Sequence, residues 1–300
     1  MPVRPSRPEQ LRGRVFRGSD VVQRGLLTRK QLRSPAWHRL RQDIYADAAL
    51  EVTHRLLISA VGLVLPEGAG FTGLSAAVLW GVPDVAGPRD PVEVVLPSGQ
   101  RWHPGAGVRV HRASQAVRLE RIGRWKCTGR VATAMGLIRR GPEDDAVVLL
   151  DRLLAGGMVR LDDVHDAVAD LPRARGSAQA RRVAALAVEF ADSPQETRLR
   201  LVIVGAGLPT PVPQFRVFDA EGFVAWVDLA YPELRIAIEY DGLWHAERRA
   251  FLDDRRRLNR LVAAGWVVLH VTAEDLHHPG GLLARLRALR AGRLAEINAR

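Results

Sequence analysis

Val224-Ala-Trp-Val-Asp-Leu-Ala230 and Arg235-Ile-Ala-Ile-Glu-Tyr-Asp241 are two β-prone runs joined by the turn residues Tyr231-Pro-Glu233. Side chains alternate faces along a strand, so Asp228 shares a face with Val224 and Trp226. In the second run Ile236, Ile238 and Tyr240 share one face, while Glu239 and Asp241 share the other. The short turn makes the strands neighbours, and three carboxylates are expected to converge at the end of an otherwise apolar sheet. Carboxylates so placed repel one another and lose hydration unless a cation joins them. Hard oxygen donors suit Mg²⁺, with Mn²⁺ as the alternative. Such an ion would polarise a phosphodiester and activate a water. A lone strand-end carboxylate is more often a solvated terminus, but acids on coherent faces of adjacent strands favour a site.

Outward from these runs, a helix is expected over Ser193 to Ala206 and a strand over Gln214 to Phe218, with a turn at Asp219-Ala-Glu-Gly222. A long helix from Ala246 to Ala264 and the apolar strand Trp266 to Val271 follow. Helix, three strands, helix and strand make a small α/β sheet with flanking helices. On the long helix, Phe251, Leu258 and Val262 define an inward stripe by their spacing. Arg255 falls inside that stripe and needs either Asp241 or Glu239 as partner, or a scissile phosphate. Arg248, Arg249, Arg256 and Arg257 are expected to face outward as solvated charges, with a part in holding a nucleic-acid backbone.

Val227-Asp228-Leu-Ala, Ile238-Glu239-Tyr-Asp241-Gly242 with His245, Asp253-Asp-Arg-Arg-Arg-Leu-Asn259 and Ala264-Gly-Trp-Val-Val-Leu-His270 together resemble endonuclease domains related to the very-short-patch-repair enzyme. Those have the PD-(D/E)xK restriction-endonuclease-like fold. The resemblance covers residues 192–300 and implies a metal-dependent deoxyribonuclease with Asp228 and Glu239 as first and second acids. Asp241 stands where that pattern usually has lysine, and an aspartate supplies no cation. The resemblance offers His245 as a substitute, placed to position water or act as general base. It also makes Glu196, in Ser193-Pro-Gln-Glu196, an accessory metal acid. The same four residues read equally as a capping box, with Glu196 bonding back to the Ser193 amide.

Residues 1–85 read as mostly helical. Thr28 with Gln31 opens one helix as a capping box. Ser34-Pro35 opens a second, Ala36 to Gln42, followed by the β-prone Ile44-Tyr-Ala46. Two short helices and a strand suggest a winged helix-turn-helix. Gly25-Leu-Leu-Thr-Arg-Lys-Gln-Leu, Trp37-His-Arg-Leu, Ile44-Tyr-Ala-Asp and Gly73-Leu-Ser-Ala-Ala resemble the N-terminal region of AbiEi-type antitoxins of abortive-infection systems. That resemblance implies DNA binding through Arg29, Lys30, Arg33, Arg39 and Arg41, and a toxin or other defence-system partner. Helices are also expected over Thr53 to Val64 and around Leu74 to Trp80. Residues 86–191 read as a mixed α/β segment. Pro91 to Pro97 and Val108 to His111 are paired strands, and helices cover Ala132 to Arg140, Glu143 to Leu154, Leu161 to Leu171 and 178–191.

The expected whole is an α/β multidomain chain divided 1–85, 86–191 and 192–300. Its net charge of +11, carried almost wholly by arginine, favours a polyanionic partner, with DNA ahead of RNA. A regulator with an inactive nuclease-like domain is the competing expectation. Cys127 alone makes no disulfide, and no apolar run approaches the ~20 residues of a membrane helix. The start lacks the apolar core of a signal peptide, so a cytoplasmic setting is expected.

Overall fold

A computed structural model describes residues 7–112, 117–241 and 248–299, with side chains from 255 onward in the last block. The chain divides into two compact units, Met1–Leu137 and Ile138–Arg300.

The first unit opens with β1 (Val15–Arg17), α1 (Gly18–Gln23), β2 (Trp37–Arg41) and β3 (Ile44–Asp47). The strands form an antiparallel sheet in the order β1-β3-β2. The helix expected over Ala36 to Gln42 is therefore a strand. Trp37 is buried and meets the Phe16 ring edge-on at 5.2 Å. In the hairpin, backbone groups flanking Trp37 pair across to β3 while its indole enters the core. Asp43, at φ 59°, makes the tight reversal before β3. Thr28 and Gln31 do cap one another, the Thr28 amide donating to Oε1 of Gln31 at 2.7 Å and the Gln31 amide to Oγ1 of Thr28 at 3.2 Å. They open only a 3-10 turn, Gln31–Arg33.

After this come α2 (His54–Gly62), β4 (Gly70–Phe71), α3 (Gly73–Leu79), β5 (Val92–Leu96), β6 (Val108–Arg112), β7 (Leu119–Ile122), β8 (Trp125–Thr128) and α4 (Arg130–Ile138). Thr53 caps α2 by accepting from the Leu56 amide at 3.2 Å. The five strands run in the order β6-β5-β4-β8-β7. β5 and β6 pair as expected, in parallel, whereas β7 and β8 were not anticipated. Because β4 pairs with β5, the sheet crosses the division expected at residue 85.

The second unit holds α5 (Glu143–Ala155), α6 (Leu161–Ala169), α7 (Ser177–Leu186) and α8 (Pro194–Gly205). The expected division at residue 191 is crossed too. Arg200 of α8 donates to the Asp151 carboxylate of α5 at 2.8 Å, with side chains 2% and 0% exposed. Thr197 and the Val188 amide also donate to Asp151. Desolvation raises the Asp151 carboxyl despite these partners.

The sheet of this unit comprises β9 (Val212–Asp219), β10 (Gly222–Tyr231), β11 (Ile236–Tyr240) and, after α9 (Arg248–Ala263), β12 (Val267–Val271). α10 (Ala273–His277) and α11 (Gly280–Asn298) close the unit. Strand order is β12-β11-β10-β9, with β11 and β12 parallel and the other pairs antiparallel. The α9 crossover allows the parallel pair, as such connections do. Leu199 and Ile203 of α8 and Leu282 and Leu286 of α11 pack on one group of strand residues, including Leu229, Ile236 and Ile238. Leu261 of α9 and Trp266 pack with Val217, Ala225, Val227 and Ala237. Val227 and Leu229 thus join different cores although two residues apart, and regular alternation is lost around Asp228. Across the pair, Gln214 has φ 47°, a left-handed conformation uncommon for a residue other than glycine.

Candidate active site

The β10–β11 register pairs Leu229 with Ile238 and Ala230 with Ala237. Asp228 and Glu239 are the residues that follow the last pair of this ladder on the two strands. Asp228 is half-buried and accepts from the Tyr240 amide at 2.8 Å. Burial is the largest influence on its carboxyl and drives it up, to about 6, with the carboxylates of Glu196 and Glu239 pushing the same way. The Tyr240 amide and the Arg257 guanidinium oppose that rise. Three acids from α8, β10 and β11 therefore share one electrostatic site.

Each has its own protein partners. Glu239 is buried, and Arg257 grips it with two parallel bonds, Nη1 to Oε1 at 2.8 Å and Nη2 to Oε2 at 3.0 Å. Glu196, also buried, accepts at Oε2 from Nε2 of Gln214 at 2.8 Å and from the Asp192 amide at 3.2 Å. The Glu196 amide donates to Ser193 Oγ at 3.2 Å. One half of the expected capping box is thus present, but the glutamate reaches one residue further back, to Asp192 in place of Ser193. Its carboxylate serves the helix start and the strained Gln214 together.

Asp241 does not join this group. Its side chain is 54% exposed and lies 3.2 Å from Nδ1 of His270. Its amide bonds to the Val271 carbonyl at 2.7 Å. The carboxylates that act on Asp228 are those of Glu196 and Glu239, and Asp241 is not among them. Among the described residues, no group of three or more His, Cys, Asp and Glu side chains is placed to hold a metal ion. His245 lies outside the described residues, as do the side chains of Phe251, Arg248 and Arg249.

The inward stripe of α9 sits one position from the one expected. Leu261 is fully buried and Val262 is 59% exposed. Arg257, four residues before Leu261, is consequently turned to the sheet, whereas Arg255 and Arg256 are exposed. The expectation that Arg255 is the inward cation and Arg257 an outward one is corrected on this point. Adjacent apolar residues at 261 and 262 leave the helical phase open in sequence. The turn after α9 settles it, with the Trp266 amide bonded to the Leu261 carbonyl at 3.0 Å and its indole in the same core. Arg260 holds the β9–β10 hairpin through Asp219, with bonds of 2.8 and 2.7 Å. Gln214, His270 and Arg260 carried no signal in the alternation pattern.

In the first unit, Arg29, Lys30, Arg33 and Arg39 are exposed. Arg29, Arg33 and Arg39 line a cavity of about 890 Å³ together with Trp37, Gln42 and Tyr45. Arg41 is half-buried and donates to the Pro104 carbonyl, a contact internal to the chain. It does not stand with the other four.

No family model matches the chain. It is 32% identical over 204 residues to the uncharacterized protein Rv2248 of Mycobacterium tuberculosis, covering 67% of this chain and 75% of that protein. The uncharacterized protein MT2308 of a second strain of that organism is similar to the same degree. The structure of the M. tuberculosis RV2827C protein overlaps 69% of this chain and 84% of its own at 18% identity, with a TM-score of 0.38. The chain is an α/β multidomain protein. It belongs to the family of the mycobacterial protein Rv2248. Among the described residues no helix is long and apolar enough to cross a membrane.

Proposed function

We propose that the second unit is a divalent-metal-dependent nuclease core acting on DNA. The observation that carries this reading is the gathering of Glu239 and Glu196 about Asp228, whose repulsion adds to the burial that raises the Asp228 carboxyl to about 6. Such a cluster is short of one cation, and a resident ion would relieve it. Mg²⁺ needs only one or two protein carboxylates when substrate phosphate and waters complete its shell. Asp228 and Glu239, at the end of the β10–β11 ladder, would hold the ion. When bound, the metal supplies Lewis-acid polarisation of a phosphodiester and lowers the pKa of water. Around it, the Tyr240 amide fixes the Asp228 carboxylate, and Gln214 fixes Glu196. Helix α8, three antiparallel strands, helix α9 and a parallel strand in the order β12-β11-β10-β9 accord with a restriction-endonuclease-like core. Asp241, at the position usually held by lysine, lies 3.2 Å from His270, whose imidazole would accept a proton from water.

DNA is the proposed substrate because the first unit offers Arg29, Arg33 and Arg39 around one polar cavity. Helix α1, the 3-10 turn 31–33 and the β2–β3 hairpin carry these side chains, although the second helix of a helix-turn-helix is replaced by β2. Exposed guanidinium groups on such a frame suit phosphate contacts. The competing reading is a regulator whose nuclease-like unit does no chemistry, and it is favoured by Arg257 standing on both oxygens of Glu239. Nicking of supercoiled plasmid with Mg²⁺ or Mn²⁺ decides between them. Wild type should nick, and Asp228→Ala and Glu239→Ala should each lose about 10²-fold or more of the rate. Undiminished cleavage in both variants would sink the site assignment. Absence of cleavage on any DNA, with DNA binding retained, would favour the regulator.

A further inference from the structure

The first unit carries a hollow where a groove-reading helix would stand. In a helix-turn-helix the second helix lies in the major groove of duplex DNA. Here that stretch is β2, Trp37–Arg41, preceded by the 3-10 turn Gln31–Arg33. Helix α1, the turn and the β2–β3 hairpin instead surround the cavity of about 890 Å³. That volume falls within the ~300–1,000 Å³ of small-molecule sites. It is also concave, where reading a major groove needs an element that projects.

The lining is cationic, with Arg29, Arg33 and Arg39 exposed on it. Asp43 is the one carboxylate among the described lining residues. Its oxygens accept from the Ser19 amide at 2.8 Å and the Ser19 hydroxyl at 2.6 Å, with Arg17 at 3.6 Å. Asp43 thus offsets Arg17, which stands outside the lining, and leaves the charge of the three guanidinium groups in place. The wall also holds aromatic groups. Tyr45 is half-buried and lies against α1, where a Cβ on Gly18 would fall 2.6 Å from its ring. Trp37 is 5% exposed, and its indole N–H has no hydrogen-bond partner among the described residues. Buried donors are nearly always paired, so an orphan one at the wall of a cavity calls for an acceptor brought by a ligand.

We infer that this cavity receives one unpaired nucleotide of a DNA strand. The inference rests on the reading of the first unit as the part that docks DNA, and it needs no metal. The arginines take the phosphates on either side of the nucleotide. The base enters the hollow against the Tyr45 ring, with an acceptor toward the Trp37 N–H and its edge toward the Gln42 amide. Inside a duplex both faces and the pairing edge of a base are covered, so an unpaired strand is the preferred partner.

The test is fluorescence anisotropy of the full chain with one labelled oligodeoxynucleotide, single-stranded and as its blunt duplex, in EDTA. The readout contains no cleavage step and is therefore independent of the nicking assay. Wild type should bind the single strand about tenfold more tightly than the duplex. Arg33→Gln and Arg39→Gln should each remove most of that preference, with circular dichroism unchanged. Equal binding of strand and duplex, weakened alike by the arginine variants, marks a general phosphate surface; it overturns the inference and leaves DNA docking standing. A single-strand preference that both variants leave intact places the strand elsewhere and overturns it too. If deoxyadenosine monophosphate binds while the strand binds no better than the duplex, the cavity serves a free nucleotide and the inference is overturned. Binding of neither form of DNA overturns the inference together with DNA docking.

Discussion

Asp228 concentrates the electrostatic cost of the site in one carboxyl. Its folded value near 6 exceeds the ordinary 3.8, so the folded chain binds this proton more strongly than the unfolded chain. Stability from the protonated form is full below about pH 4 and is lost as pH rises through 4 to 6. Above pH 6 the ionised group costs roughly 2 kcal/mol, once its partial exposure is discounted. Asp228→Asn should therefore raise stability at pH 7.5 by about that amount while removing nuclease activity. Urea unfolding of both proteins at pH 4.5 and 7.5 measures it, and an equal difference at the two pH values would contradict the assignment. Glu239 could be read from alternation, because β11 is regular; the surroundings of Asp228 could not, because Val227 and Leu229 join different cores. Gln214 could not, since nothing in its neighbours announces a positive φ. Arg257 was visible as a residue but not as a partner, because its direction depends on whether Leu261 or Val262 turns inward.

At the scale of elements, α5 and α8 are tied by a pair taken wholly out of water. Asp151 and Arg200 have no solvent to fall back on, and Thr197 and the Val188 amide use the remaining carboxylate valence. Removing one partner leaves a buried charge alone, which typically costs about 3–5 kcal/mol. Asp151→Ala should lower the urea midpoint by that equivalent, whereas Asp151→Leu with Arg200→Met should recover most of it. If the double variant is as unstable as the single, the pair contributes more than mutual neutralisation. Periodicity identified α5 and α8 as helices because each spans at least three turns. It misread β2, where Ser34-Pro35 satisfies the local rules for a helix start. Seven residues hold too few turns for local preference to resist Trp37 entering a core built by Phe16 and Val21.

At the scale of the molecule, the whole candidate metal site, its α8 acid and Arg257 lie within Ile138–Arg300. The helices α5 to α7 belong to that unit, bound to α8 by the buried pair. A fragment spanning 138–300 should unfold cooperatively and retain near-ultraviolet dichroism. A shorter one starting at 192 should lose both, since it strands Arg200 without Asp151. A folded 192–300 fragment of native stability would argue against the buried pair as an organising contact. Alternating and helical spacing, acid positions, turn residues and the excess of arginine were all determined by the sequence, because each is set by neighbours a few residues away. The extent of each unit, the register that pairs β10 with β11, the strand at β2 and the arginine that meets Glu239 were decided only by tertiary structure. Each of those depends on which of two locally equivalent residues finds a distant partner to bury against, and that choice is made when the core closes.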